Sequence, residues 1–127
     1  MKIGIDYHGV IDAVPEFFAI LTQLLIKAGH EVHIITGTKD SPKFRKKLKS
    51  LGIKFTHLFS ISSYHEKRGT KVWYADKNKN NPWMDADAWN KTKAHYCEQN
   101  SIDYHFDDTE KYATYFNTPF LLFKKMK

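Results

Sequence analysis

The chain has 127 residues, one cysteine, a formal net charge of +6, and a composition that is 42% apolar and 15% aromatic. That length favours one domain with one core, the lone Cys97 excludes an internal disulfide, and no apolar run approaches the ~20 residues of a membrane span. The basic balance suits anionic partners such as phosphate esters or nucleic acid, and it equally suits a merely soluble surface.

The first apolar run, Ile3-Gly4-Ile5, stops at Asp6. An acid this early argues against a signal peptide, so a cytoplasmic protein is expected. Residues 2–6 read as a short buried strand. Phe17, Phe18, Leu21, Leu24, Leu25 and Ala28 recur at helical spacing over 15–28. Pro15 suits the first turn of that helix, and Gly29 suits its C-terminal cap. Residues 31–35 form a second strand, turned by Thr36-Gly37-Thr38. Ser41-Pro42 starts a second helix that runs to Leu51, with Ser41 as cap. Its Phe44, Leu48 and Leu51 face inward, and its Lys43, Lys46, Lys47 and Lys49 form a wet face.

Residues 54–60 read as a third strand. Residues 62–84 are irregular, with a polar turn over 77–81, and Thr70–Tyr74 reads as one arm of a hairpin. A helix follows from Asp85 or Asp87 to Asn100. Residues 102–106 make a fourth strand, Thr109 caps a short helix, Pro119–Phe123 makes a fifth strand, and Lys124–Lys127 is a frayed tail.

Strands alternating with helices predict a single α/β domain over 1–127. Its sheet is five-stranded, mostly parallel and doubly wound, with helices on both faces in a Rossmann-like manner. Ligand sites in such sheets lie at the C-terminal strand ends, where the strand order reverses. Asp6, Thr36 and the pair Asp107-Asp108 all fall at predicted strand C-termini. Carboxylates ending two buried strands suggest a hard cation between them. The remaining histidines give no metal-binding spacing, and His33 and His105 read as core or edge residues.

With those residues placed, the chain resembles the haloacid dehalogenase-like superfamily over nearly its whole length. The resemblance rests on Asp6-Tyr7-His8-Gly9-Val10-Ile11-Asp12, on Ile34-Ile35-Thr36-Gly37, on a lysine in the helix before the fourth strand, and on Tyr104-His105-Phe106-Asp107-Asp108. It implies a Mg²⁺-dependent phosphohydrolase or phosphotransferase in which Asp6 attacks phosphorus and forms an aspartyl-phosphate. Metal ligands by resemblance are Asp6, the His8 backbone carbonyl and one of Asp108 and Asp107, with Asp108 the direct ligand. Thr36 and the Gly37 amide would hold the phosphoryl group, and Asp12 is assigned with Gly37 to substrate binding. Lys93 is chosen over Lys91 as the phosphate-neutralising lysine, because it lies on the apolar stripe of its helix between Trp89 and Cys97.

Position 8 departs from the family, whose phosphatases carry a second aspartate there as acid/base. Imidazole works near neutral pH, but it is longer and differently shaped. A phosphoesterase using His8 therefore stands beside a catalytically weak phosphate- and metal-binding module. A basic nucleic-acid-associated protein stands behind both, carried by net charge and by Tyr64, Trp73, Tyr74 and Trp83. The substrate class is a phosphorylated small molecule or an exposed phosphate on a larger partner, with no membrane role. Residues 62–84 form either a small lid, with Tyr64, His65, Lys67, Arg68 and Lys71 facing an anionic substrate, or a cover for the sheet edge.

Overall fold

The structure, a computed structural model, describes residues 1–69, 72–74 and 82–124. Five strands build the main sheet: β1 (Lys2–Ile5), β2 (Glu31–Thr36), β3 (His57–Ser60), β6 (Tyr104–Asp107) and β7 (Phe120–Leu122). The order is β3-β2-β1-β6-β7, and every pairing is parallel. Two short strands, β4 (Trp73–Tyr74) and β5 (Pro82–Trp83), pair antiparallel as a separate hairpin. The helices are α1 (Pro15–Lys27), α2 (Pro42–Ser50), α3 (Ile61–Lys67) and α4 (Ala86–Gln99). This is the α/β, doubly wound, Rossmann-like arrangement expected from the alternation of elements.

Side chains alternate across the sheet, as the period of two requires. Ile3, Ile5, Val32 and Ile34 pack with Phe18 of α1 and with Phe44 and Leu48 of α2. On the other face Ile35 packs with Cys97 of α4 and with Ile102. Burying one such side chain completely is worth about 1.5–3 kcal/mol, so these two clusters fix which helix covers which face. Ser41 caps α2 by accepting from the Phe44 amide at 3.1 Å.

Several local expectations change. The α1 stripe is only half used: Phe18 is buried, but Phe17 and Leu24 are 55% and 59% exposed. The helix carries apolar residues around more of its circumference than one sheet face can cover. Buried Thr22 ties α1 to the chain after α2, since its hydroxyl donates to Phe18 O and accepts from the Lys54 amide. The third strand begins at His57 rather than 54, and the fourth spans 104–107 rather than 102–106. The stretch read as irregular from 62 opens with a regular helix, α3, whose N-cap Ser60 accepts from the Ser63 amide. Thr109 makes no side-chain cap to the 3₁₀ turn Glu110–Tyr115; its hydroxyl turns back to Asp108 Oδ1 instead.

Of the expected hairpin arm, residues 73 and 74 pair with 83 and 82. Thr70, Lys71, the 77–81 turn and Lys125–Lys127 lie outside the described residues. The hairpin is anchored beside the sheet: the Tyr74 hydroxyl donates to Glu66 of α3, and Lys39, after β2, lies 3.4 Å from the same carboxylate. No helix among the described residues is long and apolar enough to cross a membrane.

Candidate active site

The strand order reverses around β1, which has β2 on one side and β6 on the other. A crevice opens at the C-terminal ends of such neighbours. Asp6 follows β1 directly, and its amide donates to Phe106 O of β6 at 2.9 Å. Asp107 is the last residue of β6. One carboxylate oxygen from each of Asp6, Asp107 and Asp108 lies within 4.8 Å of the others.

Lys93 enters this cluster from α4. It is 4% exposed, and its ammonium sits 2.9 Å from Asp6 Oδ1 and 2.9 Å from Asp107 Oδ2. Thr92, Lys93, Ala94 and Cys97 form the buried face of α4, so the lysine points inward with the apolar residues. Lys91 points out and pairs with Asp87 at 3.0 Å on the helix surface. His105, fully buried, places Nε2 3.0 Å from Asp107 Oδ2. The Thr109 amide donates to Asp107 Oδ1. Both Asp107 oxygens are thus engaged by protein groups, whereas Asp108 is exposed.

Three acids around one lysine leave a surplus of negative charge. Burial pushes the Asp6 carboxyl up to about 7; Lys93 works against this, and Asp107 and Asp108 add to it. Burial acts on Asp107 in the same sense, but the His105 hydrogen bond and Lys93 outweigh it and hold Asp107 at about 2. Burial opposes the Lys93 charge, yet Asp6 and Asp107 together keep the ammonium above its ordinary range. The acids titrate apart because Asp6 has only Lys93 against the cost of burial, whereas Asp107 has the His105 hydrogen bond as well.

Two glycines make room for this arrangement. Gly9 has φ +78°, and a Cβ there would sit 1.9 Å from Asp108 Oδ2. The turn after β1 therefore admits the carboxylate only where no side chain stands. Gly37 lies under the Trp89 ring, which a Cβ would meet at 2.4 Å. Trp89 Nε1 donates to the Tyr112 hydroxyl, and Lys93 Nζ lies 5.2 Å from the centre of the Tyr112 ring. Tyr112 thus flanks the lysine, and Trp89 holds Tyr112 in place.

The remaining sequence candidates fall nearby in different ways. Thr36 ends β2, is buried, and accepts from the Thr38 amide at 3.1 Å. Gly37 O accepts from Ser62 Oγ at 2.9 Å. The His8 side chain is 58% exposed and is held at both nitrogens, by Asp12 Oδ2 at 3.2 Å and by Thr38 Oγ1 at 3.0 Å. A carboxylate only accepts, so Nδ1 carries a proton and, in the neutral ring, Nε2 accepts from Thr38. Asp12 also accepts from the Gly9 amide at 2.7 Å. Its observed partners are thus the His8 ring and the turn.

Thr38, His105, Trp89 and Tyr112 were not singled out by sequence. Thr38 reads as a turn residue and His105 as core or edge; Thr38 gains its role from His8, 30 residues away beyond the neighbouring strand, and His105 from Asp107, two residues along the same strand and on the same face. The Thr-Gly-Thr triplet and the His-Phe-Asp alternation were the available signals. Neither a known protein family nor a curated protein sequence matches the chain.

The three-carboxylate set is all oxygen. That donor chemistry suits Mg²⁺, which takes one or two carboxylates together with water and phosphate oxygens. A dication there would also favour the ionised form of Asp6, whose carboxyl burial, with Asp107 and Asp108, pushes up to about 7.

Proposed function

We propose that the protein is a Mg²⁺-dependent phosphoryl-transfer enzyme of the haloacid dehalogenase-like kind, acting on a phosphate monoester. The observation that carries this reading is the Lys93 ammonium lodged between Asp6 and Asp107 at the point where the strand order reverses. Lys93 engages Asp6 Oδ1, so Oδ2 is the oxygen available to attack phosphorus. The new Asp6–phosphorus bond forms as the ester P–O bond breaks, and the alkoxide leaves with a proton. Water then cleaves the aspartyl-phosphate to return Asp6 and free phosphate.

Asp6, Asp108 and the His8 carbonyl would hold the magnesium, which supplies charge neutralisation between the nucleophile and the phosphate dianion. Asp107 stays with Lys93 and His105 and steadies them. His8, oriented by Asp12 as imidazoles are by carboxylates in other acid/base pairs, supplies the proton to the leaving alkoxide from Nε2 in its doubly protonated, imidazolium form, with Thr38 turned away, and is left as the neutral Nδ1–H ring that Asp12 holds. Thr36 and the Gly37 amide bind phosphoryl oxygens. A cytoplasmic setting belongs to the same proposal.

Turnover of an activated aryl phosphate with Mg²⁺ is the test, run beside Asp6→Asn. Equal rates in the two proteins would sink this reading. The Thr38 hydroxyl favours a second reading, because it occupies the His8 nitrogen that would meet the leaving group. On that reading the site binds metal and phosphate but hydrolyses poorly, and His8→Asp raises a native rate that is close to background.

A further inference from the structure

We propose that Glu31, His33 and His57 form a second metal site, for a borderline divalent cation of the zinc class, at the opposite end of the sheet from Asp6. One donor atom from each of the three lies within 4.8 Å of the others. Glu31 Oε1 is 2.8 Å from His33 Nε2 and 3.7 Å from His57 Nδ1. Glu31 pairs with Lys2, four residues before Asp6, which is about 13 Å along the strand. The two centres are therefore separate.

The cluster is a product of sheet register. His33 of β2 lies opposite His57 of β3, and Glu31 stands two residues back on the same face. The linear spacing, 31, 33 and 57, gives no metal motif; the parallel pairing supplies the third ligand. Two imidazoles and one carboxylate match the donors that zinc takes with three protein ligands, its fourth position going to water. Imidazole nitrogen disfavours Mg²⁺ and Ca²⁺ and favours zinc, copper and nickel.

Surrounding hydrogen bonds prepare both rings. His33 Nδ1 lies 2.7 Å from the Tyr96 hydroxyl, the kind of partner that orients metal-bound imidazoles through their other nitrogen. When Nε2 binds metal, the ring proton moves to Nδ1 and is donated to Tyr96. The Thr56 hydroxyl donates to Val32 O and accepts from Val32 N, so its contact with His57 Nδ1 makes His57 the donor. His57 therefore keeps the lone pair on Nε2.

The rings stack at 4.1 Å and 9°, and a metal lies in the plane of each ring that binds it. One ring must turn. His57, with its side chain 51% exposed, is the ring that turns, giving up its bond to Thr56 and bringing its Nε2 lone pair toward Glu31, whereas His33 is buried at 2%.

The test is titration of EDTA-stripped protein with ZnCl₂ by calorimetry, with ¹⁵N spectra of the histidine rings. Wild type should bind zinc with shifts at both His33 and His57. His57→Ala and Glu31→Gln touch surface side chains and leave the core intact, so they keep the fold. Each should lose more than ~100-fold in affinity at this site, beyond the ~10–100-fold expected when a supporting partner is removed, as in Tyr96→Phe. Zinc held elsewhere, for example between the Met1 amino group and the His30 ring 2.6 Å away, would survive His57→Ala. Titrations of wild type and His57→Ala that superimpose would overturn the proposal, as would ring signals of His33 and His57 that do not move. The proposal does not depend on phosphatase activity at Asp6.

Discussion

Asp6→Asn gives the sharpest check on the electrostatics of the acid cluster. In the folded protein Asp6 holds its proton up to about pH 7, against an ordinary value of 3.8. Between those values the folded state carries a proton that the unfolded state has lost, so stability falls as pH rises. About three pH units correspond to roughly 4 kcal/mol at 1.36 kcal/mol each, or roughly 10–20 °C in Tm for a domain of this size. Asn mimics the protonated carboxyl and removes that dependence. Other groups also titrate in this window: burial depresses His33, His65 and His105, which makes their contribution rise with pH. They are common to both proteins and cancel in the difference. The measurement is urea or thermal unfolding of wild type and Asp6→Asn from pH 4 to 8 in EDTA. The stability of Asp6→Asn relative to wild type should grow toward pH 8, and millimolar Mg²⁺ should close the gap by restoring a cation beside ionised Asp6. A difference that is flat with pH would refute the reasoning.

Lys93→Met leaves Asp6 and Asp107 facing each other without their shared cation, and loss of one partner from a buried ion pair costs about 3–5 kcal/mol; urea unfolding at pH 7 measures it. Gly9→Ala places a methyl group 1.9 Å from Asp108 Oδ2 at φ +78°, so Mg²⁺ affinity by calorimetry should fall at least roughly tenfold, or about 1.4 kcal/mol, with the circular dichroism spectrum retained. His8→Ala should lower aryl phosphate turnover by ~10²–10⁴ while leaving Mg²⁺ affinity unchanged, because the ligand at that position is a backbone carbonyl. Leu48→Ala, at a fully buried position between α2 and the sheet, should cost about 2–5 kcal/mol in unfolding free energy.

Much of the scaffold was legible because its signals are local. Ser41-Pro42 marks a helix start through groups two and three residues apart, and the helical stripe from Trp89 to Cys97 turned Lys93 inward. Asp6 and Asp107 advertised themselves as acids ending apolar runs. Boundaries were less legible: α3 has only seven residues, too few for a stripe to repeat. Phe17 and Leu24 show the opposite limit, since periodicity reports a helix but not which of its apolar residues the sheet reaches.

The sequence by itself determined the alternation of strands and helices and the placement of acids at strand ends, because both follow from backbone periods within a few residues. Tertiary structure alone decided who meets whom. Asp6 and Asp107 become neighbours because β6 lies beside β1. His8 meets Thr38 across the ends of two strands, and His33 meets His57 because β2 pairs with β3 in one register rather than another. A single-residue slip of β2 against β3 would put His33 and His57 on opposite faces. Register is set by the packing of both sheet faces at once, and no local stretch of sequence contains it.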